Sequence, residues 1–84
     1  MRIFLQAPAE DDRPPRFYQL FLQEDLLGGW SLVRQWGTQG GKVTVQREYH
    51  ECREDADQAL MRYRDAQLKR GFRILYVEGE GAPS

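Results

Sequence analysis

Cysteine and histidine occur once each in this 84-residue chain, as Cys52 and His50. One cysteine excludes an intramolecular disulfide and any zinc site built from several thiolates. One histidine excludes multi-histidine metal sites and leaves a catalytic triad a single candidate base. His50, Glu51 and Cys52 are neighbours in sequence. Cys–His nucleophilic chemistry needs a positioned base, an orienting group and an oxyanion hole, and adjacency supplies none of these. The apolar runs are only a few residues long, too short to span a bilayer. Residues Met1 to Gln6 carry a charge but no apolar stretch of signal-peptide length, so the cytoplasm is the expected compartment. Neither charge dominates: 12 Lys and Arg face 13 Asp and Glu, for a net charge of −1 and a pI of about 5.8. A dedicated polybasic binder would lie well above zero. The glycines form neither a dinucleotide fingerprint nor a P-loop. The acids Glu10, Asp11 and Asp12 lack EF-hand spacing and read as a solvated loop. No enzyme, cofactor, metal or small-molecule substrate is expected.

What is present reads as one small globular domain over residues 1–84, with 40% hydrophobic and 30% charged residues. Residues 2 to 6 alternate as a strand, with Ile3 and Leu5 on one face and Phe4 on the other. Residues 7–15 hold three of the four prolines and three consecutive acids, and are expected as a loop. A second strand spans 16–23, with Tyr18, Leu20 and Leu22 as its core face and Phe17 and Phe21 opposite. Gly28-Gly29 marks a hairpin turn, and a third strand follows over 30–36. A glycine-rich turn at 37–41 leads to a fourth strand over 42–49. Four strands with short connections predict an antiparallel meander.

The period then changes. Ala56, Ala59, Leu60, Tyr63 and Ala66 fall on one helical stripe. Helix-forming residues dominate, and the helix is expected to begin at Arg53 beside a poor cap, Cys52. Asp55 and Asp57 suit its first turns, and Lys69 and Arg70 its last. Gly71 fits the left-handed position after the helix end. Asp65 and Lys69 have the spacing of a helical ion pair. Residues 72–77 resume the strand pattern, and 78–84 read as a frayed tail. The fold class is therefore α+β: an antiparallel sheet of four to five strands packed on one long helix.

Several of these features in this order resemble the WGR domain family. They are Phe17-Tyr18-Gln19-Leu20 opening a strand, Trp30-Ser31-Leu32-Val33, Trp36-Gly37, the turn at Gly40-Gly41, and the helix exit Leu68-Lys69-Arg70-Gly71-Phe72-Arg73. The likeness runs over residues 16 to 76. The family occurs beside the catalytic domain of DNA-dependent poly(ADP-ribose) polymerases and in short bacterial proteins. There its tryptophan packs on the DNA backbone at a strand break. The resemblance implies that role for Trp36 and Gly37. The motif's arginine is replaced here by Thr38, which has a hydroxyl and no charge.

Charge distribution points to the same segment. Leu26 to Arg47 contains Arg34, Lys42 and Arg47 and no acid. The candidate surface is therefore Trp36, Gly37, Arg34, Lys42 and Arg47, and the expected partner is a DNA end or nick, bound weakly and without sequence preference. The missing motif arginine and the acidic pI favour an alternative, a protein-interaction module docking through Phe17 and Phe21. A second basic cluster, Arg62, Arg64, Lys69, Arg70 and Arg73, is expected as a solvated helix face. No membrane contact is expected.

Overall fold

The computed structural model describes residues 1–10 and 12–79. Its elements are β1 (Arg2–Ala7), β2 (Arg16–Glu24), β3 (Trp30–Thr38), β4 (Val43–His50), α1 (Arg53–Lys69) and β5 (Arg73–Glu78). They form a five-stranded sheet in the order β4-β3-β2-β1-β5, antiparallel throughout. The first four strands are the expected meander. The fifth returns to the far edge and pairs with β1. The chain must therefore cross the sheet between β4 and β5. A helix of 17 residues, about 25 Å long, makes that crossing and covers one face on the way.

Strand alternation decides which side chains lie beneath the helix. Ile3, Leu5 and Ala7 of β1 and Tyr18, Leu20 and Leu22 of β2 are buried there. Leu32 of β3 and Ala56, Ala59 and Leu60 of α1 join them. Leu5, Leu20 and Leu32 are the largest side chains fully shielded from water. The helical stripe departs from expectation at one point. Ala66 is exposed and Gln67 is buried, because the stripe continues from Tyr63 by four residues rather than three.

Both helix ends follow local chemistry. Cys52 supplies no side-chain cap, and Glu54 and Asp55 occupy the first turn, where the helix dipole favours negative charge. At the other end, Gly71 has φ 96°. The Phe72 amide donates to the Gln67 carbonyl at 3.0 Å, and the Gly71 amide to the Leu68 carbonyl at 3.1 Å. This is a Schellman closure, and it drives Phe72 into the core. Asp65 pairs with Arg64 at 3.0 Å rather than with Lys69. Ala7 and Glu78 complete strands instead of lying in the loop and tail, and Lys42 precedes β4 rather than opening it. Asp11 of the expected loop and residues 80–84 of the expected tail lie outside the described residues. Among the described residues, no helix is long and apolar enough to cross a membrane.

Candidate functional site

The helix-side face of β3 carries Trp30, Leu32, Arg34 and Trp36 in alternation, and only Leu32 is wholly apolar and buried. Toward β4 the layer between helix and sheet becomes polar. Arg34 sits over the Tyr63 ring at 4.0 Å and over the Trp36 ring at 5.4 Å. Its guanidinium donates to the Gln46 side chain at 2.6 Å and, more weakly, to the Tyr18 hydroxyl at 3.4 Å. Behind it, the Glu48 carboxylate accepts the Tyr63 hydroxyl at 2.5 Å and meets His50 Nε2 at 2.5 Å. Burial alone would raise the Glu48 carboxyl. The hydrogen bonds from Tyr63 and His50 and the charges of His50 and Arg34 outweigh it and hold Glu48 below the ordinary carboxylate range. The same hydrogen bond, with burial, raises the Tyr63 phenol. Desolvation works against the Arg34 charge, but Tyr18, Tyr63 and Glu48 more than compensate and push its pKa further up.

Beyond Arg34 the helix end, the end of β3 and the start of β2 enclose a groove of about 300 Å³. Trp36 is half-buried at one wall, its ring stacked on Tyr18 with centroids 5.5 Å apart and planes 12° from parallel. Arg16 lies 5.3 Å over the Phe72 ring. Arg34, Arg70, Thr38 and Gln67 complete the polar lining, and among the described residues the lining holds no acid. Gln67 is 6% exposed, and its Oε1 has no hydrogen-bond partner among the described residues. Three arginines thus line a concave, aromatic-walled site. Such an arrangement is suited to phosphate oxygens, which arginine binds through paired N–H donors.

The five residues expected to share one surface do not all meet. Trp36 and Arg34 line the groove, and so does Gly37 at its rim. Gly37 packs so tightly on the next strand that an added Cβ would collide with the Lys42 carbonyl. That contact places Lys42 beside the turn, with its side chain exposed and outside the groove lining. Arg47 is on the other face of the sheet. Its Cα partner is Val33, which alternates with Arg34, so its side chain points away from Trp36. Arg16 and Arg70 take its place, although neither lies in the acid-free segment. Arg70 is therefore not simply part of a solvated helix face. Arg16 opens the aromatic strand β2, and Arg70 lies in the helix exit. Only the Schellman closure and the β2–β3 register bring them together.

The residues with catalytic potential stay apart from this groove. His50 is engaged by Glu48, and Cys52 is exposed at the helix start. Among the described residues, no group of three His, Cys, Asp or Glu side chains is arranged to hold a metal ion. No family model, curated protein or solved structure matches the chain.

Proposed function

We propose that this chain is a non-enzymatic, WGR-like module that binds nucleic acid weakly at duplex ends or nicks, without sequence preference. The observation that carries the reading is the acid-free groove in which Arg16, Arg34 and Arg70 surround Trp36. Phosphate oxygens occupy the guanidinium groups, and the exposed part of the indole packs on the terminal sugar or base. Trp36 and Gly37 keep the role the resemblance implies for this turn, Arg34 adds a cation from the same strand, and Lys42 adds charge at the margin. Arg47 drops out of this surface. No helix presents a row of base-reading side chains to a groove, so little sequence discrimination follows. The same reading keeps the module in the cytoplasm, a reducing compartment in which a lone exposed Cys52 thiol persists.

The test is a titration of nicked, blunt-ended and uninterrupted circular duplex at low salt. Broken duplex is expected to bind better, with log K falling against log salt at a slope of about −3 for three neutralised phosphates. Trp36→Ala is expected to remove the preference for breaks. Thr38→Arg places a fourth cation on the groove lining and is expected to steepen the slope by about one. Equal, negligible binding of all three duplexes would overturn the reading.

A second reading, a protein-interaction adaptor, is favoured by one observation. Leu26 and Leu27, at the tip of the β2–β3 hairpin, are 103% and 96% exposed. The hairpin beneath them is held firmly: Asp25 accepts the Leu27 amide and the Ser31 hydroxyl, and Tyr49 donates to the Gly28 carbonyl. Two apolar side chains on a fixed tip suit a partner's pocket. Leu26→Asp would abolish capture of such a partner and leave DNA binding intact.

A further inference from the structure

The face of the sheet turned away from the helix has its own construction. Its register positions carry Arg2, Arg47 and Arg73 and a single acid, Glu78. Glu78 is already paired with Arg2 at 3.2 Å. Among the described strand positions, three arginines against one glutamate leave this face at net +2, although the whole chain is at −1. Within it lies a depression of about 220 Å³. Phe21 and Val33 are its apolar lining, Gln19, Gln23 and Gln35 converge on it, and Arg2 and Arg47 complete it. Arg2 lies 5.0 Å over the Phe21 ring, and its Nε is a shielded donor with no partner among the described residues. Beside the depression runs an aromatic row across three strands. Phe17 stacks on Phe4 at 6.2 Å, and Phe4 on Tyr76 at 5.4 Å, with planes within 4° of parallel. The row ends at Tyr76, 45% exposed on β5, the edge strand of the sheet among the described residues.

We infer that this second face binds single-stranded nucleic acid, seating an unpaired base in the glutamine-lined depression and stacking another on Tyr76. Each glutamine amide offers both donors and an acceptor, the complement that base edges require. Arg47 and Arg73 have no ion-pair partner among the described residues and are the phosphate contacts. The exposed part of the Tyr76 ring supplies a sequence-tolerant stacking platform. The rows of charge also decide between occupants. A second copy of this chain laid on the same face would set net +2 against net +2, whereas a polyanion with flat rings matches both the charge and the aromatic row.

The inference is independent of the Trp36 groove, which lies on the other side of the sheet. Its test is fluorescence anisotropy of the full chain with a labelled unstructured DNA strand and its RNA counterpart. Inorganic polyphosphate serves as a competitor that carries charge without bases. The expected results are binding of at least one strand with a salt slope of about −1.4, for two phosphates on a single strand. Arg47→Ala is expected to lower that slope by about 0.7, and Tyr76→Ala to weaken binding about 5- to 150-fold. Tyr76→Trp, which keeps the stacking surface, retains the affinity and guards against misreading a folding defect. Loss of break preference in Trp36→Ala with single-strand binding intact separates the two faces. No binding of either strand overturns the inference. So does displacement by polyphosphate with no effect of Tyr76→Ala, which reduces the face to a charge patch. Light scattering that reports a dimer abolished by Arg47→Glu also overturns it, in favour of a second copy.

Discussion

Replacing Glu48 by glutamine tests whether the polar seam between helix and sheet stabilises the fold through charge. Glu48 accepts from Tyr63 and His50, both at 2.5 Å, and its side chain is 29% exposed. Hydrogen bonds to a charged group contribute about 1.5–3 kcal/mol each when well shielded. Partial exposure screens these two toward the lower end, and glutamine still offers Tyr63 an acceptor. The expected loss near neutral pH is about 1–2 kcal/mol, which for a domain of this size is a fall in Tm of roughly 5–15 °C. The pH dependence carries the sign. The folded-state pKa of Glu48 is depressed, so its contribution is present above the ordinary carboxylate pKa and is lost as pH falls through the folded value. Thermal unfolding followed by circular dichroism over a series of pH values, from neutrality down into acid, reads both limbs. The two proteins should differ at neutrality, and the gap should narrow as the pH falls. A gap of the same size throughout the series, or no gap at neutrality, would refute the reasoning.

Three further outcomes follow. Tyr63, whose folded-state pKa is raised, contributes stability that is present below the ordinary phenol pKa and is lost as pH rises through the folded value, so Tyr63→Phe should remove an alkaline limb from the pH–stability curve. Leu32→Ala empties a fully shielded site between sheet and helix and should cost about 2–5 kcal/mol in chemical denaturation; a cost under about 1 kcal/mol would mean that the helix does not pack there. Gly37→Ala drives a methyl into the Lys42 carbonyl and should destabilise the β3–β4 hairpin, with faster amide exchange along β4 than in the natural protein.

Much of the fold was legible because alternation and helical spacing report burial directly. Tyr18, Leu20 and Leu22 could be placed inside from their own strand, and Gly71 could be placed after the helix because the left-handed position there favours glycine. The site was less legible. Arg34 and Trp36 share a strand and a parity, so their companionship could be read locally. Arg47 could not be assigned to a face in the same way. Its face depends on the β3–β4 register, which the tight contact between Gly37 and Lys42 helps to set. Arg16 and Arg70 are separated by most of the chain and meet through the meander's register and the helix exit. Gln67 is hidden by residue type, since a step of three from Tyr63 reaches the apolar Ala66 and a step of four reaches a glutamine. Glutamine in that row, followed three residues later by arginine at the helix cap, was the available signal.

We propose that the groove around Trp36 receives the phosphates and terminal sugar of broken DNA. The most direct measurement is a two-dimensional NMR titration of the natural chain with a nicked duplex at low salt, following the Trp36 indole and the Arg16, Arg34 and Arg70 side-chain signals. These four groups are expected to shift together and saturate with one affinity, while Trp30, held beneath Arg53 at 4.9 Å, stays in place. Shifts that spare Trp36 and its three arginines, or that appear equally with uninterrupted duplex, would contradict it.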